Sequence, residues 1–234
     1  MRAAGITSPG LIRDNNEDRY YIHQEKGLLI VADGMGGHAS GEEASKLAVQ
    51  TVLEHLGDFA DQPEEKIRAA ITAANAAIIA QADFHPAMAG MGTTFTLVAV
   101  LPGNLVIGHI GDSMAFLIDS DGILPITSDH SVSGQLLAMG EITLAEAACH
   151  PQRHVLTRAL GINATADIEI KRQPWRKGQK LLLCSDGLTD VLPLPDICQV
   201  VEGSGTIEDK LSRLLSMVLE KGAPDNVTII LAQL

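Results

Sequence analysis

The sequence predicts an α+β fold in which helices pack against sheets. Two observations lead there: five apolar runs of strand length with little helical periodicity, and three stretches whose apolar residues recur every three or four positions. They are carried by 234 residues, 46% hydrophobic and 20% charged. That is enough chain for one large domain, and residues 1–234 are read as a single domain.

The strand-like runs are Gly27–Ala32, Thr93–Leu101, Leu105–Ile110, Lys180–Cys184 and Val227–Ala232, several of them rich in Val, Ile and Thr. Between the first two, Ala44, Leu47, Ala48 and Val52, and then Ile67, Ala70, Ile71, Ala74 and Ile78, mark two amphipathic helices parted near Gly57–Pro63. Leu211, Leu214, Leu215 and Val218 mark a third, which Lys221-Gly222 and Pro224 bring to a stop. Residues 131–152 carry no strand pattern. They read as two short helices around Gly140, an insertion closed by Pro151.

Composition excludes several functions. Net charge is −12, and only seven residues are aromatic (four Phe, two Tyr, one Trp), so nucleic acid is not an expected partner. Cys149, Cys184 and Cys198 form no paired spacing, which fits a reducing cytoplasm and argues against disulfides or a thiolate zinc site. The first eighteen residues turn polar too early for a signal peptide. Residues 93–110 are broken by Pro102-Gly103-Asn104, which makes them a hairpin rather than a membrane span.

Four apolar runs deliver an aspartate at one end: Asp33, Asp112, Asp186 and Asp225. Turn chemistry explains any one of them. Four meeting at one sheet edge would repel unless cations lay between them, and hard oxygen donors without a Cys or His cluster favour Mg2+ or Mn2+. Near the N-terminus, Arg13 offers a planar fork for a phosphate, with Glu17 and Asp18 placed to hydrogen-bond metal-bound water. Residues 33–39 (DGMGGHA) follow a strand and precede a helix. Gly34, Gly36 and Ala39, with Glu54 further on, match a dinucleotide-binding fingerprint. That alternative fails because Asp33 would face the pyrophosphate and Glu54 falls within a helical pattern.

Eight elements occur in order through nearly the whole chain: RDNNED (13–18), VADGMGGH (31–38), GTT (92–94), GDS (111–113), ITSDHS (126–131), RHVLTRALG (153–161), LLLCSDGLTD (181–190) and DNVT (225–228). On these the sequence resembles the metal-dependent serine/threonine protein phosphatases of the type 2C (PPM) family, most of all its compact bacterial members. The resemblance implies a four-layer α-β-β-α sandwich of two antiparallel sheets flanked by helix pairs, with residues 131–152 as a flap beside a metal cleft. It also implies that Asp33 bridges two metals and that the Gly34 carbonyl helps bind the first. Asp186 and Asp225 would hold the second, and Asp112 with Asp186 a weaker third. Arg13 would grip the phosphate, Glu17 and Asp18 would order metal-bound water, and His38 would protonate the leaving alkoxide.

The expected cofactors are thus Mn2+ or Mg2+, two tightly bound ions plus a weaker third. The expected reaction is direct attack of a metal-bridging water or hydroxide on phosphoserine or phosphothreonine. The expected setting is a cytoplasmic monomer that counteracts a Ser/Thr protein kinase. The alternatives are a catalytically silent phosphoprotein-binding domain, a metal-stabilised interaction domain, or a partner-switch phosphatase acting on an anti-sigma antagonist. One departure stands out: Met114 follows GDS where the family usually has arginine. His109 and Cys184 are read as core residues, and His154 as a structural hydrogen-bonding residue that could approach the third site.

Overall fold

The structure, a computed structural model, describes residues 1–36 and 40–234. In chain order the first elements are β1 (Arg2–Ser8), β2 (Asp18–His23), β3 (Leu28–Met35), α1 (Ser40–Leu56), α2 (Pro63–Phe84), β4 (Gly92–Thr93), β5 (Phe95–Leu101) and β6 (Asn104–Ile110). There follow β7 (Met114–Asp119), β8 (Gly122–Pro125), α3 (Val132–Ala138), α4 (Leu144–Ala148), β9 (Glu169–Pro174), β10 (Lys180–Cys184), α5 (Asp186–Thr189), α6 (Leu194–Glu202), α7 (Ile207–Glu220) and β11 (Val227–Gln233). One sheet runs β1-β11-β10-β7-β8. The other runs β2-β3-β5-β6-β9, with β4 paired to β3. Each pairing is antiparallel.

The central strands are continuously apolar because both of their faces are buried. Side chains alternate across a strand, so Leu29 and Val31 of β3 meet Leu181, Leu183 and Ile230 of the opposite sheet in the inner core. Leu28, Ile30 and Ala32, on the other face of β3, pack against Ala48, Val52, Ile67 and Ile71 of α1 and α2. Leu182, Ile229 and Leu231 likewise turn outward to Ile197, Leu211, Leu214 and Val218 of α6 and α7. The result is the expected four layers. Gly108 allows the close seating of α2 on β6, since a Cβ there would stand 2.5 Å from Ile67 Cγ2 and 2.6 Å from Ile71 Cδ1.

Both long helices of the first pair, the third helix and the hairpin fall where periodicity puts them. Short helices α3 and α4 lie on either side of Gly140. Ser131 Oγ caps α3 by accepting the Gly134 N–H, and Thr143 with Glu146 forms a capping box on α4. Five strands escape the sequence pattern: β1, β2, β7, β8 and β9. β2, β8 and β9 border solvent and carry polar or half-exposed residues, so they lack the apolar run that identifies a central strand.

Ile107 is fully buried between the two sheets. Ile107→Ala should lower unfolding free energy by about 2–5 kcal/mol in urea titration. Phe84→Ser should change it by less than about 0.5 kcal/mol, because Phe84 is 80% exposed.

Candidate active site

The antiparallel order brings distant strand ends to one end of the sandwich. Asp18 opens β2 and pairs directly with Asp33 near the end of β3. In the other sheet Asp112 precedes β7, Asp186 follows β10 and Asp225 precedes β11; Cys184 pairs with both Met114 and Ile229, which aligns those ends. Asp33, Asp112, Asp186 and Asp225 thereby line one cavity of about 1260 Å³, together with Arg13, Glu17 and Gly34. Asp18 lies beneath that surface, 1% exposed. His38 falls outside the described residues.

Hydroxyls and amides fix the backbone that carries these carboxylates. Asp33 N–H donates to Thr94 Oγ1 at 3.0 Å, while Thr94 N–H and the Thr93 hydroxyl both donate to Asp33 O at 2.8 Å. Thr94 Oγ1 also lies 2.7 Å from Ser113 Oγ, which ties the Asp33 strand to the Asp112 turn. Asn226 clamps the N-terminal loop: its Oδ1 accepts the Glu17 N–H at 2.8 Å, and its Nδ2 donates to Asn15 O at 2.9 Å and Pro9 O at 3.1 Å. Glu17 O in turn accepts the Gly34 N–H at 3.2 Å and the Ser45 hydroxyl at 2.5 Å. No side chain fits at Gly34, because a Cβ would collide with the Gly41 carbonyl at the start of α1 and stand 2.7 Å from Glu17 O.

Electrostatics show what the cavity lacks in positive charge. Burial, then Asp18, Asp186, Asp112 and Asp225, hold the Asp33 carboxyl well above its ordinary value of 3.8. Burial, Asp186, Asp129 and Asp190 do the same to Asp112. Burial pushes Asp18 up to about 6, against the hydrogen bond that its Oδ2 accepts from Ser185 Oγ at 2.7 Å. Glu17 is raised as well, by burial first and by Asp225. Among the described residues, two buried side-chain polar atoms have no hydrogen-bond partner: Asp18 Oδ1 and Asp186 Oδ1, both at this end of the sandwich. Acceptor-only oxygens, mutual repulsion and orphaned buried atoms are what a divalent cation relieves, so the residues present fit Mg2+ or Mn2+.

Arg13, Arg153 and Arg158 all line the cavity, and Arg13 reaches one of its predicted carboxylates. Its Nη2 lies 2.7 Å from Asp225 Oδ2, and the side chain is 57% exposed, which leaves other donors facing the cavity. His154, which the sequence reading placed near the third site, borders the cavity, and so does Asp190, which that reading did not single out. Asp190 follows Asp186 by four positions, so it shares a helical face with it, a spacing readable in the sequence. His154 Nδ1 is 3.1 Å from Asp190 Oδ2 and 3.9 Å from Asp186 Oδ2.

His109 is a satisfied core residue, as expected: its Nδ1 lies 2.9 Å from Thr96 Oγ1 and its Nε2 2.8 Å from Ser128 O. Next to it, His130 Nδ1 accepts the Gly111 N–H at 3.2 Å and its backbone N–H returns a bond to Gly111 O at 2.9 Å. That pair locks the turn before Asp112 to the segment leading into α3, and it was not visible in the sequence. Met114 packs with the core beside α6 and α7, and the Thr127 hydroxyl donates to its Sδ at 3.7 Å. It takes an apolar place at the position where arginine was expected. Cys184 is buried in the same core, and Glu54 lies within α1, so no ribose-binding strand end exists there.

Comparison with known proteins gives the family context of the chain. The sequence model described as Protein phosphatase 2C matches residues 13–231. The chain is 39% identical over 99% of its length to the serine/threonine protein phosphatase PstP of Mycobacterium tuberculosis, and it spans 45% of that relative. It is 32% identical to the serine/threonine phosphatase stp of Listeria innocua, with 100% of this chain and 96% of the relative covered. The structure of the PstP catalytic domain in complex with two manganese ions superposes with a TM-score of 0.87 at 36% identity, covering 99% of this chain and 97% of the other. No helix among the described residues is long and apolar enough to cross a membrane.

The raised Asp18 gives a signed expectation. It ionises near 3.8 in the unfolded chain and at about 6 in the folded one, so the stability it contributes is present below that window and lost as pH rises through it. In chelator, Asp18→Asn should match the wild-type Tm near pH 4 and exceed it near pH 7 by calorimetry. Saturating Mn2+ should shrink that advantage, because a cation offsets the same charge. An Asn variant less stable than wild type near pH 7 in chelator would contradict this electrostatic account.

Proposed function

Since the chain belongs to the protein phosphatase 2C family, we propose that it is a metal-dependent phosphatase that hydrolyses phosphoserine and phosphothreonine in proteins. The observation that carries this is the convergence of Asp33, Asp112, Asp186 and Asp225 on one cavity beside Arg13. Asp33, the Gly34 carbonyl, Asp186 and Asp225 would hold two divalent cations, and Asp112 would contribute to a weaker third. Mn2+ is the first choice, since a related catalytic domain is known with two manganese ions. When bound, the cations supply Lewis acidity towards the phosphate and acidify water for in-line attack on phosphorus.

The chain's own residues do the rest. Arg13 orients the phosphate through its planar, permanently charged fork, because its free donors match two phosphate oxygens. Glu17 lines the cavity at partial burial, where its carboxylate would accept a hydrogen bond from the attacking water. Asp18, opposite Asp33 and bonded to Ser185, keeps the carboxylate floor negative and aligned. Release of the serine or threonine alkoxide needs a proton at its oxygen, and His38 is the proposed donor. No enzyme nucleophile takes part, so hydrolysis proceeds in one displacement.

In this reading residues 1–234 act as one catalytic domain, with residues 131–152 as a flap beside the metal cleft. The chain works as a cytoplasmic monomer in signal transduction and reverses the action of a Ser/Thr protein kinase. The negative surface repels phosphoproteins overall, so Arg13 and the cations must recover them locally.

Metal-stripped protein should be inactive on p-nitrophenyl phosphate and on a phosphothreonine peptide, and Mn2+ should restore both. Asp33→Ala should stay inactive with metal, whereas Asp112→Ala should lose turnover but keep two tightly held ions. Arg13→Ala should lower kcat/KM by about tenfold to a hundredfold, the loss of one charge-assisted phosphate contact. A wild type that binds Mn2+ normally yet hydrolyses neither substrate would overturn the enzymatic reading.

A further inference from the structure

Several large apolar side chains are exposed among the described residues, and single ones need no explanation. Ile12 and Ile162 are of another kind, because both line the cavity that holds Asp33, Asp112, Asp186 and Asp225. Ile12 is 71% exposed and Ile162 is 49% exposed. No step of the proposed reaction uses either.

The backbone that presents them is anchored. Asn226 Nδ2 donates to Pro9 O at 3.1 Å and to Asn15 O at 2.9 Å, so both ends of the N-terminal loop are held. Between those ends Leu11 N–H donates to Ala223 O at 3.0 Å, and Arg13 Nη2 lies 2.7 Å from Asp225 Oδ2. Gly10 brings the loop against the chain before β11 too closely for a side chain, since a Cβ there would collide with Asp225 O and stand 2.7 Å from Ala223 O. The second isoleucine follows Gly161, whose N–H donates to Asn75 Oδ1 at 2.8 Å, while Asn75 Nδ2 donates to Asn163 O at 2.9 Å. Asn75 is buried within α2, so Ile162 is tied to a helix.

An apolar side chain held in water by anchored backbone keeps an unfavourable hydration that contact with an apolar group of a ligand removes. Position in the chain says which ligand. Ile12 precedes Arg13, and consecutive Cα atoms stand about 3.8 Å apart, close to the rise of one residue in an extended peptide. A phosphate on the Arg13 guanidinium therefore brings the neighbours of the phosphoamino acid within reach of Ile12.

We propose that Ile12 and Ile162 are specificity-determining residues that select phosphoserine and phosphothreonine flanked by bulky apolar side chains. The proposal rests on the phosphatase reading and adds a substrate class to it. Met35, which also lines the cavity, extends the apolar surface beside Ile162: a Cβ at Gly92 would touch both, at 2.7 Å from Met35 Cε and 3.1 Å from Ile162 Cδ1. Charged flanks gain no comparable advantage. Asp14 and Glu17 of the Arg13 loop line the cavity and so do Arg153 and Arg158, so either sign of charge meets repulsion as well as attraction.

The test uses the full chain in Mn2+ with p-nitrophenyl phosphate and two phosphothreonine peptides, identical except that both neighbours of the phosphothreonine are Leu in one and Ser in the other. Wild type should favour the Leu peptide by about fivefold to tenfold in kcat/KM, the gain from burying roughly half of one branched side chain, with KM carrying most of it. Ile12→Ser should bring the ratio of the two peptides below about twofold, and Ile162→Ser should lower it in part. Phe84→Ser, which removes an exposed apolar residue outside the cavity, should keep the wild-type ratio. The ratio cancels any general loss of activity, so a variant that merely disturbs the fold does not imitate the result. A wild type that turns over p-nitrophenyl phosphate but treats the two peptides alike, or an Ile12→Ser variant that keeps the preference, would overturn the proposal and leave the phosphatase reading standing. Failure of wild type on all three substrates would overturn that reading and the proposal with it.

Discussion

Like charge held together by the fold is the constraint on which the rest of this structure depends. Five aspartates, two from one sheet and three from the other, meet at one end of the sandwich, and each raises the energy of ionising its neighbours. Two unit charges about 4 Å apart repel by about 4 kcal/mol at an effective dielectric near 20. Left to themselves the strand ends would splay. The packed inner core between the sheets holds them in place, since Leu29, Val31, Leu183 and Ile230 bury their apolar surface only when the sheets stay in register.

Around this charge the backbone is anchored by neutral groups. Thr93, Thr94 and Ser113 hold the Asp33 and Asp112 segments to each other, and Asn226 spans the N-terminal loop and the start of β11. Ser185 serves both sheets, donating to Asp18 while accepting the Thr228 N–H at 3.0 Å. Neutral donors orient carboxylates without cancelling their charge, and this keeps the carboxylates available to cations. A lysine in the same places would satisfy the aspartates and close the site.

The cavity is also asymmetric. Its floor offers only oxygen, its N-terminal rim offers the Arg13 guanidinium, and its opposite rim offers the His154 imidazole. The rims come from loops and the floor from strand ends, so chemistry that needs fixed geometry rests on the rigid part of the fold. Glycine is needed where the two parts touch, as at Gly34, where α1 approaches β3 too closely for a side chain.

Much of this was legible in the sequence. Asp33, Asp112, Asp186 and Asp225 stand out because each ends or opens an apolar run, the central strands announce themselves as continuous apolar runs of strand length, and the long helices by a period of three to four. Strands β2 and β9 do not, because their half-exposed, charged residues follow no apolar pattern and only pairing with β3 and β6 makes them strands. The placement of Asp18 opposite Asp33, the reach of Arg13 to Asp225 across the chain, and the meeting of His154 with Asp190 came from tertiary structure alone. They depend on register and on contacts between residues far apart in sequence. The chain by itself determined which chemical groups exist and in what local setting, since side-chain type and hydrophobic period are local properties. The tertiary structure decided which of those groups face one another, because long-range antiparallel pairing is selected by packing of the whole core.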